Sequence, residues 1–79
     1  MDKIEKFLAI LNKKERAYIL SFVFPKIQNL DLKGLDTKRV TGFPLWRVRV
    51  KNVRIIFLKN QKEGVILKMS FRKDAYKDL

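Results

Sequence analysis

PLWRVRVKNVRIIF, residues 44–57, sets apolar against basic side chains in two runs that meet at Lys51 and Asn52. Trp46, Val48 and Val50 alternate with Arg47, Arg49 and Lys51; Val53, Ile55 and Phe57 then alternate with Arg54, Ile56 and Leu58. A period of two is that of a half-buried strand, because successive side chains point to opposite faces. After a polar turn at 59–64, Val65, Leu67, Met69 and Phe71 alternate in the same way with Ile66, Lys68, Ser70 and Arg72. Three strands joined by short turns make an antiparallel meander, which can pack one face and leave the other wet. The packed face is expected to carry Trp46, Val48, Val50, Val53, Ile55, Phe57, Val65, Leu67, Met69 and Phe71. The wet face is expected to carry Arg47, Arg49, Arg54, Lys68, Ser70 and Arg72.

Upstream of this stretch the period changes. Ile4, Phe7, Leu8 and Leu11 follow the i, i+3, i+4, i+7 spacing of an amphipathic helix. Asp2 stands three residues before Glu5 and Asn12 three before Glu15, two pairs that resemble capping boxes. The second box predicts that helix one ends near Leu11 and helix two begins at Lys13. Helix two would bury Ile19, Phe22, Val23 and Ile27, with Pro25 kinking or ending it; AYILSFVF (17–24) is also short and apolar enough to be a buried strand. Gly34, Gly42 and Pro44 mark 30–44 as a loop. The expected architecture is one α+β domain over residues 1–79: an N-terminal αα-hairpin packed on a three- or four-stranded antiparallel sheet.

Charge narrows the partner. Nineteen Lys and Arg against eight Asp and Glu give +11 over 79 residues, which points to a polyanion such as nucleic acid, an acidic protein or a phospholipid surface. From Thr37 to Lys62 there are eight basic residues and no acid. A solvated strand face is the plain reading of Arg47, Arg49 and Arg54, but solvated faces usually mix signs. No apolar run approaches the ~20 residues that span a bilayer, and no stretch near Met1 reads as a signal peptide, so the expectation is a soluble, cytoplasmic chain without a membrane partner.

The chain has no cysteine and no histidine, which removes thiolate and imidazole chemistry and the usual zinc ligands. Its acids are scattered rather than paired, and no phosphate loop of the GxxxxGK type is present. A set of arginines with Tyr18 and Tyr76 still suits one reaction class. RNA breaks without metal or cofactor when its own 2′-hydroxyl attacks the adjacent phosphate, and arginines can hold and neutralise that phosphate. Tyr18 also reads as a core residue, and Trp46 as a core anchor more readily than as a platform for a base. Lys13, Lys14 and Arg16 read as helix surface.

LKG (32–34), LWRVRVKNVRIIF (45–57) and VILKMSFRKDAY (65–76) together resemble the RelE/ParE toxin superfamily of toxin–antitoxin modules. The resemblance implies a RelE-like toxin of a type II module: a metal-independent, ribosome-dependent endoribonuclease that cleaves mRNA and arrests translation. It implies as partners an acidic antitoxin that wraps and neutralises the toxin, together with mRNA and the ribosome. The free toxin would be a monomer, and a hetero-oligomer with its antitoxin. By position, Arg47 and Arg49 match basic residues that contact RNA or assist proton transfer, and Arg54 the arginine on the scissile phosphate. Arg72 matches the basic residue that supports the phosphate or leaving group, and Tyr76 the tyrosine that orients the reacting nucleotide. Lys38, Arg39, Lys68 and Ser70 join Arg47 and Arg49 as expected RNA contacts. Two departures stand out: no strand precedes helix one, and Phe71 replaces the family's histidine, leaving the general base open. ParE-like inhibition of DNA gyrase without cleavage, or a non-catalytic nucleic-acid-binding relic, are the rival readings.

Overall fold

A computed structural model describes residues 2–40, 42 and 44–71. Helix α1 spans Lys3–Ile10 and α2 Lys13–Tyr18; a π-helical stretch, Ile19–Val23, runs on into α3, Phe24–Gln28. Four strands follow, β1 (Asp36–Arg39), β2 (Leu45–Val50), β3 (Val53–Lys59) and β4 (Gly64–Phe71), paired antiparallel in the order β1-β2-β3-β4. The fold is the expected α+β arrangement of a helical hairpin on an antiparallel sheet, with four strands.

Both predicted helix starts are capped. Asp2 Oδ1 accepts from the Glu5 backbone N–H at 2.8 Å, and Asn12 Oδ1 from that of Glu15 at 2.8 Å. The Asn12 side-chain amide also donates to Glu15 Oε1 at 2.7 Å, tightening the turn at Leu11. Such caps are each worth about 0.5–2 kcal/mol.

Helix two differs from expectation in its middle. Pro25 does not end it, because the backbone widens to a π-turn first: the Phe24 N–H reaches back to the Ile19 carbonyl, five residues away. This loosening falls where Pro25 has no N–H to donate and its ring would crowd the Ser21 carbonyl. The Ser21 hydroxyl also bonds back to the Ala17 carbonyl at 2.6 Å. Ile19, Val23 and Ile27 remain buried, but Phe22 is turned out to 42% exposure, and its ring stacks on exposed Tyr18 at 5.2 Å. Neither Phe22 nor Tyr18 is a core residue.

Helix two ends in a Schellman motif, with the Leu30 N–H bonded to the Ile27 carbonyl and the Asp31 N–H to that of Lys26. Leu30 takes the left-handed position (φ 54°) where glycine is usual, and its side chain packs on the core. The helix end presses directly on β4. Gly64 lies so close to the Ile27 carbonyl oxygen that a Cβ there would overlap it.

The core joins Leu8, Leu11, Ile19, Val23 and Ile27 of the helices to Val48, Val53, Ile55, Phe57 and Met69 of the sheet. Burying each large apolar side chain contributes about 1.5–3 kcal/mol, so these ten dominate the folding energy. Trp46 and Phe71 pack against this cluster half-buried, Phe71 with its ring 4.8 Å from that of Phe7.

Two expectations about the sheet are corrected. The loop assigned to 30–44 contains β1, a short polar strand on the edge of β2. The packed face of β4 also changes phase, because a register shift between Ile56 and Phe57 sets Phe57 opposite Ile66. Ile66 therefore packs on the core, while Val65 and Leu67 are 38% and 49% exposed.

Candidate nucleic-acid interface

Antiparallel partners project to the same side of a sheet, so the strand register lays out the face opposite the helical hairpin. Its first cross-strand row is Asp36–Arg49–Arg54–Ser70. The second is Lys38–Arg47–Ile56–Lys68, and the third brings Leu45, Leu58 and Val65 together. Six of the sequence-predicted residues, Lys38, Arg47, Arg49, Arg54, Lys68 and Ser70, thus converge on two adjacent rows. They grade into an apolar end at the third.

Arg39 does not join them. It pairs with Trp46 and so belongs to the other side of the sheet, at the exposed edge of the core layer. Arg72 and Tyr76 lie outside the described residues. Lys51 sits in the two-residue β2–β3 turn, exposed and away from these rows, in a left-handed conformation (φ 54°).

The face is also not evenly wet. Arg54 and Ser70 are buried, 6% and 8% exposed, and Ile56 between the basic residues of the second row is 2% exposed. Arg49 is exposed, and its guanidinium is forked onto Asp36, Nη2 at 2.8 Å and Nε at 2.9 Å from Oδ2. The expectation of wholly uncompensated charge is corrected at this point: an acid one residue before the basic stretch is brought to Arg49 by strand pairing. Asp36 is the residue that sequence reasoning missed. It carries no signal of its own, since its strand lacks apolar alternation and its partner is 13 residues away.

Arg49 and Arg54 are direct cross-strand partners. Like charges in that position are destabilising, and burying a guanidinium adds desolvation cost. An arrangement that concentrates cations in this way is suited to an anion, which can accept charge-assisted hydrogen bonds from several donors at once. Behind the Arg49–Asp36 pair, α2 and the β2–β3 turn enclose a cavity of about 450 Å³ lined by Tyr18, Ile19, Val50 and Val53, with Lys14 and Lys51 at its rim.

Among the described residues, no three His, Cys, Asp or Glu side chains are grouped to hold a metal ion. Among them too, no helix is long and apolar enough to cross a membrane. Phe71, at the family's histidine position, faces the core through Phe7 and pairs with Val53. It supplies no proton-transfer group.

No protein-family model matches the sequence, and no curated protein does. Among solved structures, the chain is similar to one in the crystal structure of the RelB-RelE antitoxin-toxin complex from Methanococcus jannaschii, with 26% identity and a TM-score of 0.73. The match covers 95% of this chain and 91% of that one. It spans the helical hairpin and the sheet alike, and the fold of the chain is RelE-like.

Proposed function

We propose that this chain is the toxin of a type II toxin–antitoxin module and acts as a metal-independent endoribonuclease on mRNA in the ribosome. The observation that carries the reading is the Arg49–Arg54 pair on the sheet face opposite the helical hairpin, flanked in the next row by Arg47 and Lys68. The resemblance to a chain of a RelB-RelE antitoxin-toxin complex supports the toxin part of it.

In this reading the 2′-hydroxyl of the substrate attacks the adjacent phosphorus, and the bond to the 5′-oxygen of the next nucleotide breaks. The products are a 2′,3′-cyclic phosphate and a 5′-hydroxyl. Arg54 holds the non-bridging oxygens and stabilises the charge that builds on them, the kind of electrostatic contribution that often dominates such catalysis. Arg47 and Arg49 place the strand, and Lys38 and Lys68 extend the phosphate contacts. Arg72 and Tyr76 belong to the same proposal, as leaving-group support and nucleotide platform. An acidic antitoxin would neutralise the basic face.

The core position of Phe71 favours one rival, a gyrase inhibitor that binds without cleaving, because the family's histidine is replaced by a packing residue. The deciding experiment is primer extension on mRNA from programmed ribosomes incubated with the purified protein. Cleavage that Arg54→Ala abolishes supports the nuclease. Intact mRNA together with arrested DNA supercoiling would move the assignment to the rival.

A further inference from the structure

The π-turn ahead of Pro25 carries Phe22 out of the core to the surface beside Tyr18. The two rings stack at 5.2 Å between centroids, although Tyr18 is 46% and Phe22 42% exposed. π-Turns inside helices are frequent at functional sites, and exposed aromatic side chains are enriched at protein interfaces. Tyr18 also lines the cavity of about 450 Å³ between α2 and the β2–β3 turn, together with Leu35, Val50 and Val53. The apolar surface thus continues from the cavity over Tyr18 to Phe22.

The rim selects the occupant's charge. Its two acids are already engaged: Glu15 Oε1 accepts from the Asn12 side-chain amide at 2.7 Å, and Asp36 Oδ2 from the Arg49 Nε–H at 2.9 Å. The rim lysines, Lys14 and Lys51, are exposed and make no ion pair with a described residue. The unmatched charge is therefore positive around an apolar centre, the pattern of a protein–protein contact, and its complement is a carboxylate-rich segment. A nucleic acid fits less well. Tyr18 stacks on Phe22 from the preceding helical turn, and Lys26 Nζ lies 5.2 Å from the Phe22 ring centre from the following one. The stack offers ring edges rather than an open face for a base.

We infer that this surface docks an acidic amphipathic helix of a protein partner. One large apolar side chain of that helix sits in the cavity, a second lies along the Tyr18–Phe22 edge, and its carboxylates meet Lys14 and Lys51. Cavities of roughly 300–1,000 Å³ hold whole small ligands, so this one has room for a tryptophan or leucine anchor. Apolar side chains one helical turn apart then reach the cavity and the stack together, as in other helix-in-groove contacts. The contact goes beyond the reading of the basic rows as an RNA-phosphate site, and neither needs the other.

The test titrates the isotope-labelled full chain, followed by NMR, with two probes. The first is N-acetyltryptophan, a mimic of the anchor. The second is a synthetic acidic helical peptide carrying a tryptophan and a leucine one helical turn apart. Millimolar N-acetyltryptophan is expected to shift the amide signals of Leu35, Val50 and Val53, and no shift there overturns the inference, because the cavity then takes no anchor. The peptide should bind about tenfold more tightly than a scrambled peptide of the same composition. Tyr18→Ala and Phe22→Ala should each weaken it about tenfold, as loss of an interface aromatic does. Lys14→Glu should weaken it and reduce its salt dependence. All three side chains are exposed, and thermal melts show whether each variant is folded. Equal affinity for the peptide and its scramble would overturn the inference, as would indifference to Phe22→Ala and Lys14→Glu. Single-stranded RNA that shifts the Tyr18 and Phe22 signals where the peptide does not would reassign the surface to nucleic acid. Peptide binding by a protein that cuts no mRNA leaves this surface and removes only the nuclease.

Discussion

Arg49 and Arg54 face each other across the β2–β3 ladder, and the Arg49 guanidinium is turned away onto Asp36 at 2.8 Å. One of two opposed charges is thus held by an acid from the edge strand, while the other is buried beside Ser70. In the proposed reading of this face, Asp36 competes with the RNA phosphate for Arg49.

Removing that competitor should tighten binding. Asp36→Asn frees Arg49 and adds one unit of positive charge. The exposed ion pair contributes only about 0.2–1 kcal/mol to folding, so the melting temperature should move little. Affinity for single-stranded RNA should rise, and the slope of log affinity against log salt should steepen by about 0.7, the value for one further phosphate contact. A binding isotherm repeated at several salt concentrations reads both, and an unchanged slope would show that Arg49 does not reach the nucleic acid.

Arg54 should be the least replaceable residue of the face. Arg54→Ala is expected to lower the rate of mRNA cleavage about 100- to 1,000-fold, as loss of one preorganised charge donor does elsewhere. Arg54→Lys keeps a charge but not the planar fork that grips two oxygens, and should recover only part of that loss. Single-turnover cleavage on programmed ribosomes measures both, with circular dichroism to show that each variant is folded. Equal activity in the lysine variant and the parent would mean that point charge suffices.

Much of this was legible from the residues, for identifiable reasons. The β2–β3 hairpin is clear because Trp46, Val48, Val50, Val53, Ile55 and Phe57 alternate strictly around a two-residue break. The helix starts are clear because Asp2 and Asn12 are local caps, needing only residues three positions away. What escaped depends on contacts distant in sequence. β1 is four polar residues whose only strand signal is the partner it finds in β2. The phase of β4 is set by a bulge against β3, and the one-residue shift exchanges the faces of Val65 and Ile66 before it while Met69 and Phe71 after it keep theirs. Burial of Arg54 and Ser70 is likewise invisible to alternation, which marks them only as belonging to the non-core side.

The meeting of helix and sheet at Gly64 gives a stability prediction. Gly64→Ala places a methyl group into the Ile27 carbonyl, which belongs to the backbone and cannot swing aside. Overpacking of this kind costs about 1–3 kcal/mol, a large share of the stability of a 79-residue chain. Urea denaturation should show a lower midpoint with an unchanged slope. A neutral result would mean that the end of α3 can move off β4 without penalty.

The β2–β3 turn offers the opposite change. Lys51 adopts φ 54° although it carries a Cβ, a conformation costing about 1–2 kcal/mol for most L-residues and less for asparagine. Its side chain is exposed, so little packing offsets the strain. Lys51→Asn should therefore stabilise the fold by about 0.5–1 kcal/mol, several degrees in melting temperature for a domain of this size. Lys51→Gly removes the clash as well, but its freer unfolded chain takes back part of the gain. Lys51→Ala keeps the Cβ and should gain nothing, which separates backbone relief from loss of charge. Thermal melts of the three variants should rank asparagine first, glycine second and alanine level with the parent. A rise in the alanine variant equal to the others would assign the effect to charge repulsion within this basic chain instead.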